Sequence, residues 1–359
     1  MKKNLVIITS WNDNLNSFEC VNSLKKEKKI NFDICLVDNN SEIKNFLRLK
    51  NFLKRFSKIN GYKFIELKSF EYSRNNDQNV KKFFLIRSPI NTGCTGGYNI
   101  GYDFAINQNY KYVFRLDNDC IVEKNFLNNN INFLEKNIDY AGVNSKVCYK
   151  HLKNRIQWVG VKMNYKFAFH RSIRIFNKPK NIYEINEHVH TKNWRGVIKT
   201  DSLNGPGSTI RVSCLKKSGI SDPEFFFGPE DIDLSYRLKK VGKLAVNLNS
   251  TIYHSVAQSA SLTGIKFRKY YEIKSHLLIL KKLSTRFFVI GSIYNCLRIF
   301  YLSLITLFNP NNINYTKLKI VLSASKDFYL GNLGIFDLKR NNKNKEKNCD
   351  YYLKQVLKY

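Results

Sequence analysis

The sequence predicts an α/β protein built on a parallel sheet with crossover helices, followed by a helical extension. Within the first 120 residues, short apolar runs alternate with stretches of helical hydrophobic spacing, a pattern typical of parallel strands joined by helices. After about residue 265 the chain changes to long helical patterns rich in basic and apolar residues. Its 359 residues fit one large domain with an appendage, or two domains.

Four apolar runs predict the strands of this sheet, and polar residues follow each of them. Between the runs, hydrophobic spacing predicts helices over about 15–28, 43–56 and 99–107. In open α/β sheets, ligands bind at the carboxyl ends of the strands, so four polar endings in succession indicate a site at that edge. The predicted strands are 5–8, 32–37, 83–86 and 112–116.

The composition is strongly basic. Sixty Lys and Arg residues against 28 Asp and Glu residues give a formal net charge of +32, while 43% of residues are hydrophobic and 14% aromatic. This apolar content excludes a disordered or fibrous chain. The charge indicates a polyanionic partner, such as nucleic acid, an anionic membrane surface or a phosphorylated small molecule. The abundance of Lys, Asn and Ile also matches the codon bias of an AT-rich genome, which would explain part of the excess.

The cysteines and the N-terminus both point to the cytoplasm. Eight cysteines lie without a CxxC pair or regular spacing, which argues against a zinc ribbon or a disulfide framework and for a reducing compartment. The apolar run 5–8 is too short for the core of a signal peptide. We therefore expect a cytoplasmic protein.

The tripeptide Asp117-Asn118-Asp119 closes the fourth predicted strand. Because side chains alternate along a strand, the two carboxylates point to the same side. Their hard oxygens can hold Mg²⁺ or Mn²⁺, which in turn can clamp a diphosphate. As a bare tripeptide it is common, and a turn or a helix N-cap is the more frequent role.

A glycine-rich segment, 91–101, lies between the third predicted strand and the next helix. Glycines permit close backbone approach, and a helix N-terminus favours phosphate. The segment is not the dinucleotide fingerprint, which would follow the first strand, and it lacks the Lys-Ser/Thr of a P-loop. By itself it is also compatible with a tight turn.

An acidic cluster, Glu230, Asp231 and Asp233, begins a predicted helix after the aromatic run 225–227. Aromatic neighbours lower the local dielectric and can raise a carboxyl pKa towards that of a general base. The alternative is a negatively charged first turn that complements the helix dipole, with Arg237 paired to Asp233 one turn later. Both can hold, with Asp233 and Arg237 structural and Asp231 catalytic.

Residues 150–200 are basic and aromatic and contain His170, His188 and His190. His188 and His190 could face one side of a strand as metal ligands, but no carboxylate or cysteine lies at ligand spacing. We interpret these histidines as surface or core residues, in extra strands and loops beside the site.

The segment 287–308 contains a single charge, Arg298, and is long enough to span a bilayer. Arg298 and Asn295 fall near its middle, and placing these polar side chains at the centre of a bilayer would cost free energy. An interfacial helix, a helix packed in the fold or in an oligomer contact, and a spanning helix all remain open. From residue 258 onward there are 18 basic and five acidic residues, which suits an anionic cytoplasmic leaflet.

Taken in order, these motifs resemble a bacterial family 2 glycosyltransferase of the GT-A fold, in the branch of rhamnosyl- and galactofuranosyl-transferase-like enzymes. The resemblance covers about 260 residues and implies a Rossmann-like, mixed and mostly parallel sheet flanked by helices. We therefore expect a catalytic domain over 1–262 and a basic helical extension over 263–359. The segments that carry the resemblance are 9–11, 37–41, 91–101, 116–119, 205–208, 225–237 and 253–259.

The resemblance also implies roles for individual residues. Asp231 is the general base, and Glu230 orients the acceptor, with Gly207 beside it. Asp117, Asp119 and His254 bind Mn²⁺ or Mg²⁺. The residues implied in nucleotide and donor binding are Thr9, Asp38, Asn39, Asn91, Gly97, Asn99 and Asp117.

The expected activity is inverting transfer of a sugar from a UDP- or dTDP-sugar to a hydroxyl of a growing, lipid-linked bacterial surface glycan such as capsule, O-antigen or lipooligosaccharide. The protein would then work at the inner face of the cytoplasmic membrane, as a monomer or a homo-oligomer. A soluble or protein acceptor and a non-catalytic scaffold are the alternatives. A nucleic-acid partner is not expected, because neither a reader motif nor a basic recognition helix is present.

Overall fold

The computed structural model describes residues 3–27, 29–72, 80–152, 156–162, 195–255, 258–334, 343–356 and 358. Within these residues the strands are β1 (Asn4–Ser10), β2 (Phe32–Asp38), β3 (Tyr62–Lys68), β4 (Lys81–Arg87), β5 (Tyr112–Asp117), β6 (Cys120–Val122), β7 (Tyr140–Tyr149), β8 (Ile156–Trp158), β9 (Val197–Lys199), β10 (Ser208–Arg211) and β11 (Lys243–His254). The helices are α1 (Asn14–Ser23), α2 (Ile43–Asn60), α3 (Gly93–Asn107), α4 (Phe126–Lys136), α5 (Val212–Ser218), α6 (Glu230–Leu238), α7 (Gln258–Leu283), α8 (Thr285–Phe308), α9 (Asn312–Tyr329) and α10 (Lys343–Val356).

The described strands form one mixed sheet. Its order is β3-β4-β2-β1-β5-β10-β7-β11-β6, with β8 paired to β7 and β9 to β11. The first five strands in this order are parallel, whereas β10 lies antiparallel to both of its neighbours. From β1 the chain first builds β2, β4 and β3 on one side and then places β5 on the other. The strand order therefore reverses between β1 and β5, the place where open α/β sheets bind ligands.

The core has two layers because side chains alternate along each strand. In β1, Val6 and Ile8 belong to the core under α1, α2 and α4, while Leu5 and Ile7 belong to the core under α3, α5 and α6. Nearly every residue of β1, β2, β4 and β5 is buried. Strands covered on both faces require such continuous apolar runs, and those runs predicted these four strands correctly.

Several predicted elements differ from the structure in their bounds, and one strand was not predicted. Helix α2 ends at Asn60, four residues after the predicted end at 56. Strand β3 was missed because it is an edge strand with half-exposed, alternating side chains and no apolar run. Helix α1 ends at Ser23 and continues as a 3₁₀ turn to Lys26, short of the predicted end at 28. Helix α3 begins at Gly93 rather than at 99, so most of the glycine segment is helical. Glycine disfavours helix by about 1 kcal/mol, which hid this helix start from a reading of the sequence.

The described parts of 150–200 supply β8 and β9, beside β7 and β11. The predictions for His170, His188 and His190 fall outside the described residues.

The C-terminal helices form two groups. Helices α7, α8 and α9 pack on one another and share two small apolar clusters. Helix α10 packs instead on the sheet, where Tyr352, Leu353 and Val356 join the core layer that α3 covers. The expected fold class is confirmed, whereas the division at residue 262 stays a prediction.

Candidate active site

The carboxyl ends of β1, β2 and β5 meet at the point where the strand order reverses. Register pairs Thr9 with Asp117 and Ser10 with Asp38. Three residues expected to bind the donor, Thr9, Asp38 and Asp117, are therefore neighbours on one edge because the strands are parallel and in register.

Asp38 is fully buried at the end of β2. Its Oδ2 accepts a hydrogen bond from the backbone N–H of Ser41 at 3.2 Å and lies 3.6 Å from Nε of Arg87. Its Oδ1 has no partner among the described residues. Burial raises the pKa of this carboxyl, against the opposing effects of Ser41 and Arg87. A buried acceptor without a partner is costly, so Asp38 is suited to receive an N–H or O–H from a ligand.

Asn39 and Asn91 join the end of β2 to the start of α3. The Asn39 amide donates to Asn91 Oδ1 at 3.1 Å and to the Gly93 carbonyl at 2.8 Å. Its Oδ1 accepts from both the backbone N–H and the hydroxyl of Thr92, each at 2.9 Å. The two asparagines therefore shape the wall of the candidate nucleotide site through contacts within the protein.

Helix α3 lies unusually close to β1. A Cβ at Gly97 would stand 3.1 Å from Thr9 Cγ2, and one at Gly101 would stand 2.5 Å from Ile7 Cγ2. The glycines thus let the helix N-terminus approach the edge that carries Thr9.

Asn99 faces another part of the protein. It is fully buried, and its amide donates to the Ser221 carbonyl at 2.7 Å and to the Tyr352 hydroxyl at 3.2 Å. The amide of Asn99 therefore links α3 to α10. A role of Asn99 in nucleotide binding stays a prediction.

Asp117, Asp119 and His254 come together as the sequence led us to expect. His254 Nε2 lies 3.2 Å from Asp119 Oδ1 and 3.9 Å from Asp117 Oδ2. They meet because β6, which follows the turn after Asp117, pairs with the end of β11. Burial raises the pKa of Asp119. Burial by itself would lower the pKa of His254, but the hydrogen bond to Asp119 and both aspartate charges raise it above its ordinary value.

Two further side chains surround this group. Gln157, on β8, hydrogen-bonds to Nδ1 of His254 at about 3 Å, which leaves Nε2 directed towards the aspartates. Cys120 Sγ, a carboxylate oxygen of Asp119 and a ring nitrogen of His254 all lie within 4.8 Å of one another. However, Cys120 is a fully buried core residue, and burial raises the pKa of its thiol. A neutral thiol is a poor ligand for hard cations, so the two carboxylates and His254 form the better donor set.

Glu230 begins α6 and is buried in an ion pair with Arg115 of β5. Arg115 Nη2 donates to Glu230 Oε1 at 2.8 Å, and both side chains are less than 7% exposed. The Arg115 guanidinium also stacks 3.9 Å from the ring centre of Tyr98. The Tyr98 hydroxyl in turn donates to Asp117 Oδ1 at 2.5 Å. These contacts connect the Asp117 end of the site to the acidic cluster.

Asp231 follows Glu230 and is half-buried. It lines a small cavity with Arg115, Asn204 and Ser208, and its Oδ1 accepts from the Ile232 N–H at 2.8 Å. Burial and the charge of Glu230 raise its pKa to about 6, against the opposing effects of Arg115 and of backbone N–H groups. A carboxyl with this pKa is ionised at neutral pH and remains basic enough to accept a proton.

The remaining residues of the acidic segment and the small-residue patch are structural in their contacts. Arg237 pairs with Asp233 at 2.7 Å across one helical turn, as expected from the spacing. Gly207 donates its N–H to the Arg115 carbonyl at 2.9 Å, where β10 begins beside β5. The structure therefore places Gly207 next to the residue that holds Glu230, and its predicted contact with an acceptor is untested.

Sequence reasoning missed Arg115, Tyr98 and Gln157 as members of the site. A signal existed for Arg115, because an arginine within the buried strand 112–117 needs a partner. Nothing local marks Gln157 or Tyr98, whose partners are distant in the sequence.

The fold and the site define a class: an α/β protein with a carboxylate-rich site at the switch point of its sheet. Residues 5–189, more than half of the chain, match the sequence profile described as "Glycosyl transferase family 2". The chain therefore belongs to glycosyl transferase family 2, and the expected family is confirmed. No curated protein sequence matches it. Assignment to the rhamnosyl- and galactofuranosyl-transferase-like branch stays a prediction.

Two solved structures illustrate the likeness of fold. A structure of GalNAc-T7 with UDP, GalNAc and Mn²⁺ shares 13% identity over 77% of this chain and 51% of its own, with a TM-score of 0.52. Residues 1–349 of S. aureus TarS in complex with UDP share 15% identity over 77% of this chain and 65% of their own, with a TM-score of 0.43. At 13% identity the GalNAc-T7 structure shows only the GT-A-like fold, and the chain spans about half of its length.

Proposed function

We propose that this protein is an inverting, metal-dependent glycosyltransferase that moves a sugar from a nucleoside diphosphate donor to an acceptor hydroxyl. The observation that carries the proposal is that Asp231 lines a cavity beside Arg115, which connects through Tyr98 to the Asp117 edge. Burial and the charge of Glu230 raise the pKa of this carboxyl. Membership of glycosyl transferase family 2 supports the same reaction class.

The donor binds at the edge formed by β1, β2 and β5. Asp38, whose buried Oδ1 has no described partner, receives an N–H of the base, and Thr9 and Asp117 flank the ribose. Asn39 and Asn91 shape the wall beside the N-terminus of α3, whose dipole favours the diphosphate. Support for a UDP- or dTDP-sugar comes from the resemblance and from the UDP in the GalNAc-T7 structure.

The residues present fit a divalent cation. His254 Nε2 lies 3.2 Å from Asp119 Oδ1 and 3.9 Å from Asp117 Oδ2, Asp119 is buried, and Gln157 orients the ring of His254. This oxygen-rich set with one nitrogen suits Mn²⁺ or Mg²⁺. When bound, the cation supplies positive charge beside the diphosphate that leaves.

Asp231 removes the proton from the acceptor hydroxyl. The acceptor oxygen then forms a bond to the anomeric carbon while the bond from that carbon to the diphosphate breaks, and the diphosphate leaves with the electron pair. Attack from the face opposite the leaving group inverts the anomeric configuration. Arg115 holds Glu230 beside the base through their buried ion pair.

The acceptor we propose is a growing, lipid-linked bacterial surface glycan. The resemblance to rhamnosyl- and galactofuranosyl-transferase-like enzymes and the basic helical extension support this choice. A protein or soluble acceptor would use the same chemistry.

The experiment is a panel of UDP-, dTDP- and GDP-sugars tested with Mn²⁺ for thermal stabilisation and then for turnover. A donor at 100 times its Kd should stabilise the fold by about 2.7 kcal/mol. The D38N variant should lose most of that stabilisation, whereas E19Q, which neutralises an exposed carboxylate outside the site, should retain it. The anomeric configuration of the product is read by NMR. Retention of the donor configuration, or stabilisation by none of the nucleotide sugars, would contradict the proposal.

A further inference from the structure

Helix α8 carries an exposed apolar face along its whole length. The helix spans 24 residues, contains no acidic residue, and only 11% of its most apolar window is buried. Among the described residues it is the one helix long and apolar enough to cross a membrane by length and composition. Six large apolar side chains recur at intervals of three or four, Phe308 follows the last of them, and all seven are between 38% and 81% exposed: Val289, Ile293, Leu297, Phe300, Leu304, Leu307 and Phe308. This spacing places them on one side of the helix.

The opposite side of α8 is packed against its neighbours. Asn295 is buried and donates to Ser325 Oγ of α9 at 2.8 Å. Gly291 is buried where a Cβ would stand 2.2 Å from Leu280 of α7. The polar residue that would be costly inside a bilayer thus has a partner within the protein. The helix therefore lies along the protein, and a spanning arrangement would have to break these contacts.

Helix α9 adds an exposed face that carries two lysines, two tyrosines and a leucine. Tyr315, Lys319, Leu322, Lys326 and Tyr329 recur at intervals of four and three, and all five are exposed. Lysine ammonium groups and tyrosine rings above an apolar stripe are the composition that favours the interface between acyl chains and headgroups.

The charge of this region is one-sided. Residues 284–330 contain five basic residues and one acidic residue, Asp327. Asp327 already accepts hydrogen bonds from the Tyr270 hydroxyl at 2.6 Å and the Asn332 amide at 3.0 Å. A second copy of the same face would bring lysines against lysines, whereas an anionic surface complements them.

We propose that the exposed faces of α8 and α9 form a docking surface for an anionic lipid bilayer, with α8 lying in the interface and Lys319 and Lys326 contacting headgroup phosphates. The apolar face of α8 supplies hydrophobic insertion, and the lysines supply selectivity for anionic lipid. This surface is separate from the strand-end site, so its test does not depend on the proposed reaction.

The test is flotation of the full chain with two kinds of vesicle, pure phosphatidylcholine and phosphatidylcholine with 30% phosphatidylglycerol. The wild type should float with the anionic vesicles and much less with the neutral ones. The K319E/K326E variant should bind anionic vesicles at least about 30-fold more weakly, since each basic residue near the surface contributes about 1 kcal/mol and the introduced carboxylates add repulsion. The matched control is K44E/K58E, which makes the same charge change at exposed positions of α2.

A second variant separates insertion from charge. L297E places a carboxylate in the middle of the α8 face and should abolish flotation, whereas I59E, at an exposed apolar position of α2, should not. Because both side chains are exposed, the variants should fold, and circular dichroism checks this.

Three outcomes overturn the proposal. One is equal flotation with neutral and anionic vesicles, or none with either. Another is a lipid-free dimer in analytical ultracentrifugation that L297E converts to a monomer, which would make the face a protein interface. The last is resistance of membrane-bound protein to alkaline carbonate extraction, which would indicate a spanning helix.

Discussion

The site contains two pairs of acids, and each pair lies beside one basic side chain. Asp117 and Asp119 both face Nε2 of His254, at 3.9 and 3.2 Å. Glu230 and Asp231 share Arg115 unequally, because Arg115 is bonded to Glu230 at 2.8 Å. Side chains of the same types therefore make different sites. In the first group both acids lie against His254, while in the second Arg115 binds Glu230 and Asp231 lines the cavity, with a pKa that burial raises to about 6.

The largest expected effect tests Glu230 and Asp231, which we call the acceptor pair. D231N should lower kcat by about 10³-fold, because a positioned general base contributes roughly 10²–10⁴-fold, while the donor Kd changes little. Since the folded state raises the pKa of Asp231, its charge opposes folding above its unfolded pKa. The variant should therefore be at least as stable as the wild type at pH 7.5. The control is D233N, which removes the pair with Arg237 and should lower Tm while retaining turnover. Wild-type kcat in D231N would reject Asp231 as the base.

Arg115 tests whether the acceptor pair depends on its fixed partner. R115M leaves Glu230 as a buried, unpaired charge and should destabilise the fold by about 3–5 kcal/mol in urea unfolding. The double variant R115M/E230M removes both charges and should recover most of that loss. K243M, which removes an exposed ion pair with Asp139, serves as the control and should leave unfolding unchanged. Additive losses in the double variant would show that the two charges act independently.

A variant of Asp119 tests the pair formed by Asp117 and Asp119, which we call the donor pair. D119N should lower kcat/KM in Mn²⁺ by about 10²-fold, since a bound cation contributes several kcal/mol to stabilising the leaving group. Chelator should reduce the wild type to a similar level and change the variant little. E19Q, a surface neutralisation, is the matched control. Full wild-type turnover in excess chelator would remove the cation from the reaction.

The smallest expected effect is the dependence of kcat on pH, which tests the acceptor pair by itself. Asp231 must be ionised to accept a proton, so kcat should fall about tenfold per pH unit below about 6 and level off above it. Initial rates between pH 5 and 8 at saturating donor and Mn²⁺ measure this limb. Because the limb belongs to Asp231, E19Q should leave it in place. A flat profile down to pH 5 would show that Asp231 does not limit the rate.

Much of the fold could be predicted because its signals are local. The strands β1, β2, β4 and β5 are covered on both faces and therefore appear as apolar runs, whereas the half-exposed edge strand β3 does not. The start of α3 was predicted six residues too late, because glycines that disfavour an isolated helix are required where α3 touches β1. Tertiary packing overrides propensity at that point.

The candidate site divides along the same line. Clustered carboxylates at 117–119 and 230–233 are visible in the sequence, and the resemblance to the family placed His254 with the first cluster. The partners that decide what each acid does are not visible, because Arg115 and Glu230 are 115 positions apart and Gln157 and His254 are 97 apart.

The sequence by itself determined the α/β class, the family, the strand-end location of the site and the acids within it. Alternation of hydrophobicity and clustering of charge are properties of neighbouring residues, so they can be read along the chain. Only the tertiary structure decided that Arg115 forms its ion pair with Glu230 rather than with Asp231. It also decided that Asn99 joins α3 to α10, and that α8 packs one face against the protein and exposes the other. Those outcomes depend on contacts between distant segments, which form only when the sheet and its helices assemble.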